Sequence, residues 1–199
     1  MKIEKPTTTQ KIATTGVLIA LSLIWTTFMY TVPLGVWSFT PFSHLFIFLG
    51  MYYNLVTGIL VAIGTFLGFV IKGADVVVCM RAGSHILFVI LGVILLRKIN
   101  VNKVVGMVIF AAATAVLHGL GETGCVYFAL FNNIAVKNDS AGYIWGITFG
   151  MTLVHSTVDC LTAYFLAKLF SKRRIVHFVE IERWNAETEK KPRENRAEQ

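Results

Sequence analysis

Charge is scarce in this chain. Asp, Glu, Lys and Arg make up 15% of its 199 residues and hydrophobic types 55%, against about 25% charged in soluble domains of ordinary make-up. The mean hydropathy is +0.67. That balance excludes an ordinary water-soluble domain and points to a protein solvated by lipid. Cysteine is scarce too: Cys79, Cys125 and Cys160 each sit inside an apolar run with no CxxC arrangement, which excludes a disulfide framework and a thiolate zinc site. They are expected to be small buried hydrophobes. There is no GxxxxGKS/T phosphate loop, so hydrolysis of ATP through that machinery would fall to a partner. GxSxG and HExxH are absent as well, which argues against a serine hydrolase or a zinc protease, and the chain is not expected to be an enzyme. No polar linker interrupts the apolar blocks before about Ser171, so one domain is expected. The net charge of +7 does not signal nucleic acid, because Lys and Arg fall in short clusters between apolar stretches, where a membrane protein needs them.

Apolar runs are what the sequence has in plenty. A spanning helix takes roughly 20 apolar residues to cross about 30 Å of hydrocarbon. Six segments are expected to do so: Ile12 to about Pro33, Phe42 to Tyr53, Leu55 to Ile71, Val76 to Leu96, Val104 to Phe131, and Tyr143 to Phe170. The second is short and only Asn54 separates it from the third, so it is expected to tilt, to be shielded by its neighbours, or to break at Gly50 and Asn54. The predicted fold is an all-α integral membrane bundle of six transmembrane helices over residues 1–170, followed by a charged cytoplasmic tail, 171–199. The apolar run after MKIEKPTTTQK is longer than a signal-peptide core, and is read as a retained first helix.

Orientation follows the bias of Lys and Arg. Lys2, Lys5, Lys11, Arg97, Lys98, Lys103, Lys168, Lys172, Arg173 and Arg174 would flank the inner side, with Lys72, Arg81 and Lys137 on the other. Both termini are therefore expected in the cytoplasm of a multi-pass plasma-membrane protein. The tail opens with the amphipathic IVHFVEIERW and ends in EKKPRENRAEQ, expected as a surface helix fading into disorder.

Ionisable side chains inside spanning helices cost roughly 2.5 to 3.5 kcal/mol each, so those present usually face a cavity and a partner. Arg81 and His85, His118 and Glu122, and His155 and Asp159 are three pairs four positions apart, a spacing that puts both members on one helix face. His44 joins them at the outer start of the second segment. With a 1.5 Å rise per residue, Glu122 lies roughly 27 Å from the inner end of the fifth helix, so the set fits a site opening outward. Trp37, Phe39, Tyr127 and Trp145 could supply its aromatic walls, although anchoring at the interface is the commoner use of tryptophan there.

Plain alternatives stand beside these roles. Membrane histidines are more often hydrogen-bonded packing residues than ligands, and the pairs His118 with Glu122 and His155 with Asp159 can satisfy themselves. Arg81 is the strongest candidate, its fixed guanidinium fork suiting a carboxylate, with snorkelling or pairing to Asp75 as its plain alternatives. Four histidines with Glu122 and Asp159 also raise Zn, Ni or Co. No HExxH or paired-cysteine pattern accompanies them and Arg81 would oppose a cation, so an organic anion ranks above a metal and no cofactor is expected.

Small residues recur at close spacing: Ala13, Gly16 and Ala20 in the first segment, Gly58, Ala62, Gly64 and Gly68 in the third. Such rows let helices approach in lipid, either within the monomer or as a docking stripe for a partner. Over Lys11 to about Lys172, the six-helix layout, the first-helix row and the block PFSHLFIFLGMYYNLVTGILVAIGTFLGF resemble the substrate-capture (S) components of energy-coupling factor (ECF) vitamin transporters. RAGSHILFVILGVIL, from Arg81, is similar to those assigned to niacin. The resemblance implies tight capture of a vitamin-like solute from outside, then assembly with a transmembrane coupling subunit and two ATPases, docked through Ala13, Gly16 and Ala20. With nicotinate as cargo, Arg81 would hold the carboxylate and one of His44, His85 or His118 the pyridine nitrogen. Other readings are an S component for another vitamin or for Ni or Co, a stand-alone carrier, and an intramembrane enzyme using His118 and Glu122 or His155 and Asp159.

Overall fold

Several helices start where the sequence supplies a side-chain cap. A computed structural model of the chain describes residues 6–34, 37–134, 136 and 139–182, without the side chains of 33–37. Lys2, Lys5, Lys137 and the tail beyond Glu182 lie outside the described residues. Helix α1 (Thr8–Phe28) opens with a reciprocal box in which the Thr7 hydroxyl accepts from the Gln10 N–H and the Gln10 side chain accepts from the Thr7 N–H, satisfying two of the donors a helix start leaves over. Asp75 caps α4 (Val76–Leu96) by accepting from the Val77 N–H at 2.9 Å. That role, rather than pairing with Arg81, is where the structure puts its carboxylate.

Asn54 ends α2 (Leu45–Tyr53) and starts α3 (Leu55–Ile71) at once: its backbone is extended and its side chain accepts from the Thr57 N–H at 2.9 Å. The two helices fold back so closely that a Cβ on Gly50 would stand 3.0 Å from the Gly58 Cα. The short α2 is the centre of the molecule. Ile47, Phe48, Met51 and Tyr52 are fully buried on it, and α1, α3, α4 and α7 pack around it. A helix apolar on every side needs such surroundings, which explains how nine residues suffice.

The chain continues through α5 (Val104–Phe131), the single turn α6 (Ala141–Tyr143), a π-helical segment (Ile144–Phe149) and α7 (Gly150–Lys172). Each of the six apolar segments is thus mostly helical, but the first is helix only to Phe28, with Val32 and Pro33 in a strand, and the second only from Leu45. Three of them, α1, α4 and α5, are long and apolar enough to cross a membrane, and α3 is a shorter apolar helix of 17 residues. Polar residues dilute α7. An antiparallel hairpin, absent from the sequence-based expectation, pairs β1 (Val32–Leu34) with β2 (Trp37–Phe39), so that Val32 faces Phe39. The Lys72 ammonium ties that end together by donating to the Met29 carbonyl and, at 2.8 Å, to the Thr31 hydroxyl; partial burial lowers its pKa.

At the other end the tail departs from expectation. Phe178 and Ile181 are buried in the main core, with the Phe178 ring 6.2 Å from Tyr53. Arg97 donates to Glu180 from Nε at 3.1 Å and from Nη2 at 2.8 Å, and these hydrogen bonds raise the pKa of Arg97. Residues to Glu182 therefore belong to the packed bundle, because an amphipathic segment with an apolar core available buries its apolar side there.

The two rows of small residues part company. Gly64 and Gly68 admit Ser22 and Thr26 of α1 against α3, with the Ser22 hydroxyl donating to the Val61 carbonyl at 3.4 Å. Ala13, Gly16 and Ala20 lie on the exposed side of α1, and nothing stands within 4 Å of where a Gly16 Cβ would be. Of the cysteines, Cys160 is buried, Cys79 and Cys125 are partly so, and all are free thiols.

Candidate functional site

Four elements aim ionisable groups at one interior point. The i, i+4 spacing stacks Arg81 over His85 on α4, His118 over Glu122 on α5 and His155 over Asp159 on α7, and all six are buried, as is His44 at the start of α2. Phe42, with a left-handed φ of 57°, makes the bend that brings Ser43 and His44 inward from the hairpin. That conformation costs a non-glycine residue roughly 1 to 3 kcal/mol.

The contacts fall into two linked halves. In the first, Glu122 receives Arg81 Nη2 at 2.9 Å and the Thr152 hydroxyl at 2.6 Å, both on Oε2. Its other oxygen, Oε1, faces His118 Nε2 at 3.4 Å and His85 Nε2 at 3.7 Å. In the second, Asp159 Oδ2 accepts the His44 backbone N–H at 3.0 Å and stands 3.4 Å from both His44 Nδ1 and His155 Nε2. Asp159 therefore also serves as a cap for α2, a structural duty that needs no ligand. His44 joins the halves, its Nε2 meeting His85 Nε2 at 3.2 Å. The Ser43 hydroxyl lies 3.2 Å from His155 Nε2.

Aromatic rings wall the cluster, though not all of those expected. Phe88 stacks on His118 with 4.7 Å between centroids, and Phe39 meets His155 edge-on at 4.9 Å. The Phe149 ring closes on the Gly119 backbone, where a Cβ would clash at 2.9 Å. Trp145 is not brought in: its ring lies half-exposed against Tyr127 and Phe149. The Trp37 side chain lies outside the described residues. Sequence reasoning missed Thr152, Phe88 and Ser43. Thr152 precedes His155 by three positions and Asp159 by seven, so the same periodicity that links those two would have found it. An open groove of about 580 Å³ between α4 and α5, lined by Leu91, Ile94, Ala113 and Val116 among others, offers no polar group to select a guest.

Fold and site together define a mostly helical protein whose described residues include three apolar helices of membrane-spanning length, with a buried imidazole–carboxylate–guanidinium cluster in its interior. No protein-family model, curated protein or solved structure matches the chain.

Proposed function

We propose that this is a multi-pass plasma-membrane protein, with six spans and both termini cytoplasmic, that captures a small solute as the S component of an ECF-type transporter. The observation that carries the reading is the convergence of His44, Arg81, His85, His118, Glu122, His155 and Asp159 in one buried cluster. Packing alone would be served better by apolar residues, since ion pairs in an interior seldom recover their desolvation cost. Lipid as solvent is supported by apolar side chains exposed along every long helix, such as Ile24, Leu60, Leu87, Ile109 and Val158. The exposed row Ala13, Gly16 and Ala20 supports a coupling subunit docking on α1.

For an organic cargo, the resemblance points to a small vitamin or its precursor, nicotinate first. Arg81 would take its carboxylate, and because its guanidinium already holds Glu122, the acid must share or displace that partner. Titration calorimetry of the purified protein with nicotinate tests this: tight binding that Arg81→Ala abolishes is expected, and equal binding by that variant refutes the role of Arg81. Co-purification with a membrane coupling protein and two nucleotide-hydrolysing subunits tests the class. Solute uptake by the protein reconstituted alone would instead make it a carrier, and overturn the assignment.

A further inference from the structure

The geometry points to a divalent transition-metal ion, of the Zn, Ni or Co kind, as the guest held by His44, His85, His118 and Glu122. The inference rests on the capture reading only in making that ion cargo. One ligand atom from each of the four residues lies within 4.8 Å of all the others. Metal–nitrogen bonds of about 2.0 to 2.1 Å put neighbouring ligands of a tetrahedral ion about 3.3 Å apart. Three of the separations are 3.2 Å for His44 Nε2 to His85 Nε2, 3.4 Å for His118 Nε2 to Glu122 Oε1 and 3.7 Å for His85 Nε2 to Glu122 Oε1. Three of the six separations are thus close to metal-binding size, and the others, within 4.8 Å, would close on an ion by side-chain movement.

Four further features favour a bound cation over a purely hydrogen-bonded network. Both ring nitrogens of His118 and the Nδ1 of His85 are buried without a hydrogen-bond partner. An unprotonated ring nitrogen is a lone pair that a metal would use. Arg81 does not oppose the ion as a free charge would, because it and Thr152 hold Glu122 through Oε2 and leave Oε1 turned to the histidines. Asp159 Oδ2, 3.4 Å from His44 Nδ1, would hold the proton on that nitrogen and leave the lone pair on Nε2, the carboxylate–histidine arrangement that orients metal ligands. With neutral imidazoles, the Arg81 guanidinium is at least balanced by Glu122, so the cluster carries no excess positive charge to repel a divalent cation.

The test is titration of chelator-treated, detergent-purified full-length protein with Co²⁺ and, in parallel, with nicotinate. One Co²⁺ per chain is expected, with the visible absorption of a tetrahedral site and displacement by Zn²⁺. His85→Ala should weaken binding by more than about 100-fold, and Asp159→Asn by about 10- to 100-fold. His118→Cys keeps a ligand and should add a thiolate-to-cobalt absorption, a gain that a merely misfolded variant cannot produce. No Co²⁺ binding, or binding that His85→Ala leaves intact, or a His118→Cys spectrum unchanged from the parent overturns the metal site. If nicotinate binds in its place, solute capture stands and only the metal falls. If neither binds, both fall.

Discussion

Two Arg–Glu pairs of nearly equal length sit at opposite ends of α4, and their surroundings make them different devices. Arg97 and Glu180 meet at 2.8 Å with the arginine half in solvent, while Arg81 and Glu122 meet at 2.9 Å with both side chains about 5% exposed. The first is a latch. It holds the start of the tail against the bundle end, and water reaches it from the half-exposed Arg97 although Glu180 is buried. The second is surrounded by groups that would have no such substitute, because Glu122 is also the acceptor for Thr152 and the neighbour of two histidines. Distance alone therefore ranks neither pair; access to water does.

The sharpest way to break this contrast is to remove one member of the inner pair. Glu122→Leu takes the carboxylate away from a buried guanidinium, and a loss of about 3 to 5 kcal/mol is expected, read from denaturant unfolding in detergent. Adding Arg81→Met should recover most of that stability without restoring any guest binding, which separates the fold's need for the pair from the site's. A single Glu122→Leu as mild as Arg97→Ala would erase the distinction. Thr152→Val removes a hydrogen bond to a charged acceptor while leaving Arg81 in place, and should cost about 1.5 to 3 kcal/mol in the same assay. Recovery to wild-type stability would mean that Arg81 alone satisfies Oε2.

The inner pair also marks how far the sequence can be read. Four-residue spacing tells which side chains share a face of one helix, so Arg81 with His85, His118 with Glu122 and His155 with Asp159 are legible from the order of residues alone. It cannot tell which faces meet. Arg81 finds Glu122 across 41 positions, and Asp159 caps α2 across 115; such pairings depend on helix crossing, on which local periodicity is silent. The bounds of α3, α4 and α5 are legible because Asn54, Asp75 and the flanking polar residues punctuate the apolar runs. The hairpin is not, since its three-residue strands are too short to show an alternating pattern. Phe178 and Ile181 escape for a related reason: the amphipathic pattern around them is the same whether the apolar side meets lipid or a core.

Arg97→Ala is the small end of the comparison. With Arg97 half-exposed, the pair should contribute about 1 kcal/mol or less, because water can enter where the guanidinium stood and solvate the otherwise buried Glu180. The same latch should be screened: at about 1 M salt the Debye length falls to about 3 Å, so the difference between Arg97→Ala and the parent should shrink toward zero, while the deficit of Glu122→Leu persists. Unfolding of all three proteins at low and high salt checks both statements in one series. Equal salt sensitivity at the two ends of α4 would mean that ions reach Arg81, and that the histidine cluster beside it is open to water.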